Sequence, residues 1–166
     1  MDRFKKKLQQ LLVIGLAIFP ISSFAGVEEL PSEIRVKEFS LSRKALALGG
    51  YDPVAYFQNG PKEGSKQLSH TFKGVTYYFA NEENRKKFIE DPYRFEPQYG
   101  GWCAWAMQDG GNRTEANPES FKIIDGKLYV FYDGFFGDTR KLWNEVGDDK
   151  KLIGLADNYW AKQVLK

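Results

Sequence analysis

Apolar and aromatic residues cluster in two pairs of short segments, and a two-residue turn that ends in glycine separates the members of each pair. The two turns are Lys73-Gly74 and Asp125-Gly126. Segments rich in aromatic and β-branched residues are typical of strands, and such a turn between two of them favours a β-hairpin. The predicted strands are 68–72 with 75–79, and 121–124 with 127–132.

Helices are indicated by apolar residues at helical spacing and by residues that cap a first turn. Asn81 precedes two acidic residues, and Asp52 precedes Pro53, which are both start signals. Hairpins interleaved with helices predict an α+β fold in one small domain, with a further short strand at 45–48. The predicted helices are 32–39, 52–57, 82–90, one with Cys103 in its first turn, 138–146 and 149–164.

The first 25 residues have the pattern of a signal peptide. A positively charged start is followed by an apolar run over 11–19 and by the small-residue cleavage site Ser23-Phe24-Ala25. The apolar run is far shorter than the ~20 residues of a transmembrane helix. A lipid anchor would need a cysteine just after the cleavage site, and the chain has its one cysteine at position 103. The sequence therefore predicts a periplasmic or secreted protein with no membrane anchor after cleavage.

Cleavage also changes the charge. The chain has 24 basic and 22 acidic side chains, of which the leader carries four basic and one acidic. The mature chain therefore keeps 20 basic and 21 acidic side chains, a net charge of −1. A basic surface for nucleic acid is therefore not predicted. A single cysteine also excludes a disulfide within the chain, so the fold depends on packing.

Cys103 lies in the most informative segment, residues 99–107, where Gly100 and Gly101 precede a run of helix formers. A first helical turn would favour the thiolate, whereas the flanking tryptophans favour a neutral, buried thiol. Two interpretations of Cys103 are therefore open, a structural cysteine and a redox or metal-binding thiol. Gly100 and Gly101 are predicted to form a turn with positive φ or to bring the backbone against packed aromatic side chains.

Three residues could bind a soft metal. Cys103 and Met107 are four positions apart, on one helical face, and His70 is the sole histidine. A thiol, a thioether and an imidazole together suit Cu(I), so these residues are the candidate copper ligands. The competing interpretation places Met107 in the core and His70 on a strand, and zinc is not expected with so few ligands.

Five motifs in order resemble the YHS domain family, in particular its exported, single-cysteine branch. The motifs are 50–57 (GYDPVAYF), 73–79 (KGVTYYF), 91–95 (DPYRF), 97–104 (PQYGGWCA) and 125–129 (DGKLY). The resemblance covers about residues 46–161. Together with the leader pattern and the mixed composition after it, the resemblance predicts a signal peptide at 1–25, an N-terminal arm at 26–45 and a YHS-like domain with C-terminal helices at 46–166.

The resemblance bears on function in two ways. Some members of this branch carry selenocysteine, which implies redox use of such a position. Metal-binding members have cysteines where this chain has Ala55, Ala80 and Asn84, so that metal site is not carried over.

The sequence therefore predicts a non-enzymatic binding module for a small ligand, a metal ion or a protein partner. The alternatives are a thiol-redox protein that acts through Cys103 and a purely structural subunit. Phe135 and Phe136 lie between glycines, in a loop where large apolar side chains are hard to bury. They are expected to close over a pocket or to contact a partner.

Overall fold

Helices and short antiparallel sheets alternate along the chain in the computed structural model, which describes residues 30–165. The predicted signal peptide and residues 26–29 lie outside the described residues. The α-helices are α1 (Ser32–Glu38), α2 (Glu82–Glu90), α3 (Pro92–Phe95), α4 (Ala104–Gln108), α5 (Thr139–Val146) and α6 (Asp149–Val164). The predicted α+β class is confirmed. Within residues 30–165, no helix combines the length and the apolar character needed to cross a membrane.

The strands form three small sheets. They are β1 (Leu41–Ser42), β2 (Leu46–Ala47), β3 (Ser65–Phe72), β4 (Val75–Phe79), β5 (Asn117–Ile124), β6 (Lys127–Phe131), β7 (Asp133–Gly134) and β8 (Gly137–Asp138). The first sheet has the order β1-β2-β4-β3, with β2 parallel to β4 and the other pairs antiparallel. β5 pairs with β6, and β7 with β8. Both predicted hairpins are confirmed.

Strand β4 and helix α2 form the centre of the core. Val75, Tyr77 and Phe79 alternate along β4 and are fully buried, as the two-residue period of a strand requires. The ring of Phe88 on α2 lies 4.7 Å from that of Tyr77 and 5.2 Å from that of Phe79. Ile89 is also predicted to face inward from the helical pattern, but this prediction is wrong because Ile89 is 44% exposed. Consecutive helical residues point about 100° apart, and Phe88 is the one that faces β4.

Other predicted elements differ from the structure at their ends. The segment from Asp52 is a turn followed by a single turn of 3-10 helix, Ala55–Phe57, rather than an α-helix. The α4 helix begins at Ala104, so Cys103 is its N-cap and not part of its first turn. The short strand predicted at 45–48 contains only Leu46–Ala47.

Helix α1 packs into the core through a buried ion pair. Arg35 is fully buried, and its guanidinium forms a salt bridge with Glu96 and lies over the ring of Phe39. Glu96 Oε1 also accepts a 2.5 Å hydrogen bond from the Tyr77 hydroxyl. Burial raises the pKa of Tyr77 well above its usual value, so the phenol remains a donor. The N-terminal segment from Leu30 onward is thus held against the first sheet.

The C-terminal helices cover the other side of the core. Trp143 of α5 and Ala156 of α6 are fully buried, with Leu152 and Trp160 nearly so. The Trp143 indole donates to Asp149 at the start of α6, which links the two helices.

The turn before Cys103 needs glycine twice, for two different reasons. Gly100 and Gly101 have φ of +61° and +88°, as predicted. A Cβ on Gly100 would lie 2.5 Å from Phe39 Cδ1, whereas a Cβ on Gly101 would meet nothing closer than 3.6 Å. Gly100 is therefore required by backbone conformation and by packing, and Gly101 by conformation alone.

We expect Gly101→Ala to lower the free energy of unfolding by roughly 1–2 kcal/mol, the cost of a left-handed residue with a Cβ. Gly100→Ala should cost about 1–3 kcal/mol more, because Phe39 must also move. Urea unfolding of both variants measures the difference. Equal losses would contradict the packing argument, and wild-type stability in both variants would contradict the turn.

Candidate functional site

The sole cysteine is completely buried. Cys103 is the N-cap residue of α4, and its own N–H donates to the carbonyl of Thr114 at 2.9 Å. Its side chain is 0% exposed. The structure therefore places the thiol in the interior, as the structural interpretation of this residue requires.

The sulfur of Cys103 lies at the junction of two distant elements. Sγ accepts a 3.2 Å hydrogen bond from the N–H of Tyr132, just after β6, and lies 3.4 Å from Oγ1 of Thr139, the first residue of α5. The Thr139 hydroxyl donates to the carbonyl of Tyr132 at 2.8 Å. With that proton committed, the thiol can donate to Thr139, so a neutral thiol has both a donor and an acceptor partner.

Tyr132 and Thr139 are also the two ends of a small projecting element, residues 133–138, which we call the aromatic hairpin. It consists of β7 and β8 joined by Phe135 and Phe136, which are 95% and 89% exposed. Their rings form an edge-to-face pair with centroids 5.3 Å apart. Cys103 therefore supports the base of an element whose tip presents two phenylalanine rings to solvent.

The glycines of the aromatic hairpin are needed for its shape. A Cβ on Gly134 would lie 2.7 Å from the hydroxyl oxygen of Tyr132 and 2.9 Å from the adjacent ring carbon. Gly137 has φ of +111°, which side chains strongly disfavour. The Tyr132 hydroxyl also accepts a hydrogen bond from the N–H of Phe136. The local structure thus holds Phe135 and Phe136 outward rather than leaving them in an unstructured loop.

The other two candidate copper ligands have different neighbours. Met107 is fully buried on α4, and its Sδ is 3.9 Å from the amide nitrogen of Gln163 on α6. His70 is half-buried on β3, paired with Tyr77, and its ring packs edge-on against Phe88. Burial, with a smaller effect of Arg85, lowers the pKa of His70, so the ring is neutral at pH 7.

Cys103 and Met107 lie one helical turn apart, and the Met107 N–H donates to the Cys103 carbonyl at 3.0 Å. Within residues 30–165, no hydrogen bond or ring contact joins His70 to either of them. In the same part of the chain, no group of three or more His, Cys, Asp and Glu side chains is arranged to hold a metal ion. The copper set Cys103, Met107 and His70 stays a prediction from the sequence.

A second buried group, the carboxylate of Asp52, organises the turn that precedes Ala55–Phe57. Asp52 is fully buried, and its Oδ1 accepts from the N–H groups of Val54 and Ala55. Its Oδ2 accepts from the N–H of Ala80 at 2.9 Å and from the side-chain amide of Asn84 at 2.7 Å. Ala55, Ala80 and Asn84 thus meet around one carboxylate. Here that carboxylate connects a turn to β4 and α2.

Several residues of the site were not singled out by the sequence. Tyr132 was predicted as the end of a strand, and Thr139 as part of a helix, with no link to Cys103. The signal that could have found Thr139 is its position after Asp138, whose side chain caps α5 by accepting from the N–H of Arg140. No local pattern points from either residue to the thiol.

No family model, curated protein or solved structure matches this chain.

Asp52→Asn should lower the free energy of unfolding by about 2–4 kcal/mol, because an amide cannot accept four hydrogen bonds from buried donors. Asp91→Asn is the matched control, since Asp91 also precedes a proline but is exposed and makes no capping bond with its side chain. It should change stability by less than ~0.5 kcal/mol. Similar losses in both variants, measured by urea unfolding, would contradict the role of Asp52.

Cys103 should react with iodoacetamide roughly 100-fold more slowly in native than in denatured protein, because the sulfur is reached only when the hairpin base opens. Thr139→Val should remain folded and react faster than wild type, since one of the two contacts of Sγ is lost. Mass spectrometry measures both rates. Fast alkylation of the native wild type would contradict the closed site.

Proposed function

We propose that this chain is an exported, non-enzymatic binding module of the YHS type that contacts a protein partner through Phe135 and Phe136. The observation that carries the proposal is the near-complete exposure of both rings on a hairpin built to hold them outward. Its location and family rest on the sequence patterns described above.

Exposure of both phenylalanine rings to water is energetically unfavourable unless a partner covers them. Phe side chains bury roughly 150–250 Å² each, so the pair offers an apolar surface of about 300–500 Å². This is close to the largest apolar patch of a typical monomer, and such patches are often functional. Aromatic anchors inserted into a pocket are also among the residues that dominate binding energy at interfaces.

Charge around the aromatic hairpin favours a protein over a membrane surface. Asp133 is exposed at the base of the hairpin, and the predicted mature chain has a net charge of −1. Neither feature attracts anionic lipid. The partner that fits is a protein with an apolar pocket for two aromatic rings and a basic residue at its rim, opposite Asp133.

The thiol-redox alternative is supported by one observation, the hydrogen bond that Cys103 Sγ accepts from the N–H of Tyr132. Such a donor would stabilise a thiolate. Against it, the sulfur has no exposed surface, and the chain has no second cysteine to resolve an oxidised thiol. The alkylation rate described above decides between the two functions.

The binding proposal is tested with a photo-crosslinking phenylalanine analogue placed at position 135, 136 or 89 in the native host. Ile89 is the control because it is an exposed apolar residue on another element. We expect one discrete adduct with another protein from positions 135 and 136 and none from position 89. With that protein purified, Phe136→Ala should weaken binding by about 30-fold, the size of an interface hot spot.

The free protein provides the stability control. Phe135→Ser with Phe136→Ser should change the free energy of unfolding by less than ~0.5 kcal/mol per residue, because the rings pack on little besides each other. A large loss of stability would show a structural role instead. Adducts with a second copy of this chain, or binding of wild type to neutral and anionic lipid vesicles that the double variant lacks, would also contradict the proposal.

A further inference from the structure

A cleft of about 560 Å³ lies on a different part of the molecule from the aromatic hairpin. Its walls come from the last turn of α1, the loop after α4 and the C-terminal turn of α6. Its volume is within the range of small-molecule sites, roughly 300–1,000 Å³. The residues that matter for its chemistry are Ile34, Lys37, Glu38, Arg113, Gln163 and Val164.

The guanidinium of Arg113 is held in place from two sides. One Nη donates to the carboxylate of Glu38, and Nε donates to Oε1 of Gln163 at 2.9 Å. The Gln163 amide is itself oriented, because its nitrogen donates to the carbonyl of Gly111 at 2.6 Å. Glu38 is the last residue of α1, and its own carbonyl accepts from the Trp102 indole at 2.7 Å. Arg113 is thus positioned before any ligand arrives.

Glycine makes this arrangement possible. Gly111 has φ of +75°, and a Cβ there would lie 2.7 Å from Nε2 of Gln163. A side chain at position 111 would displace the amide that orients Arg113. The loop is therefore shaped to bring Gln163 and Arg113 together.

Part of Arg113 still faces the cleft. Its side chain is 36% exposed, and among residues 30–165 nothing accepts from its other Nη. Lys37, 77% exposed, adds a second cation, and its Nζ lies 3.5 Å from Oε1 of Glu38. Glu38, the one carboxylate of the lining within residues 30–165, is 8% exposed. Two cations and one anion leave the cleft with a net positive charge. Ile34 and Val164 supply an apolar wall.

We propose that this cleft binds a small organic carboxylate with an apolar chain. The carboxylate pairs with the open edge of Arg113 and with Lys37, and the chain packs against Ile34 and Val164. A pre-oriented guanidinium suits a carboxylate because it presents parallel N–H groups in a fixed plane and loses little freedom on binding.

Hexanoate is the probe, compared with acetate, hexanol and hexylamine. Titrations of the purified mature protein are followed by calorimetry and by NMR shifts of the Arg113 Nε–H and Gln163 amide signals. We expect one hexanoate site per chain, with acetate and hexanol each weaker by about tenfold or more, because each lacks one half of the interaction. Hexylamine should not saturate.

Two variants and a control locate the site. Arg113→Met should weaken hexanoate binding by about tenfold or more. Gln163→Leu, which keeps Arg113 but removes its orienting acceptor, should weaken it less. Arg43→Met is the control, since Arg43 is exposed and does not line the cleft, and it should bind like wild type. Circular dichroism confirms that each variant is folded.

The proposal is wrong if hexanoate leaves the Arg113 and Gln163 signals unmoved, if folded Arg113→Met binds it as wild type does, or if hexylamine binds equally well. Tighter binding of inorganic phosphate than of hexanoate would also overturn it, because the apolar wall would then have no role.

Discussion

A single buried carboxylate, Glu96, joins three separate parts of the chain. Its carboxylate pairs with the Arg35 guanidinium of α1 and accepts a hydrogen bond from the Tyr77 hydroxyl of β4. Glu96 also begins the segment that leads to the Gly100 turn. Burial raises the pKa of Glu96, and the pairing with Arg35 and Tyr77 offsets part of that rise. Because α1 is held in this way, Glu38 can reach Arg113 and Phe39 can pack against Gly100. The cleft around Arg113 therefore depends on a core that is partly ionic.

Asp52 and Cys103, two buried residues, differ from the exposed pair Phe135 and Phe136 in the contacts that the folded chain gives them. Both carboxylate oxygens of Asp52 accept hydrogen bonds, and the Cys103 thiol has one hydrogen-bond donor and one acceptor as partners. Phe135 and Phe136, by contrast, gain almost nothing from the folded chain itself. A buried polar group whose hydrogen bonds are formed within the protein contributes to its stability. An ordered apolar side chain that stays in solvent contributes little to stability, so its exposure points to a partner outside the chain. This contrast is why we propose that the aromatic hairpin binds a partner and that Cys103 supports its base.

Local sequence signals predicted much of the fold. Lys73-Gly74 and Asp125-Gly126 form the expected hairpin turns, Asn81 caps α2 by accepting from the N–H of Asn84, and α5 and α6 lie within a residue of their predicted bounds. Turns and caps depend on residues only a few positions apart, so their physical cause is present in the sequence itself. The exposure of Phe135 and Phe136 followed from the same reasoning.

What only the tertiary structure decided is which distant residues meet. The sulfur of Cys103 contacts residues 29 and 36 positions away, and Arg113 pairs with a carboxylate 75 positions away. His70 packs on Phe88, 18 positions away on another element. The sequence determined the turns, the helices and the chemistry available. Their contacts arise from the packing of whole elements, which no pattern of neighbouring residues specifies.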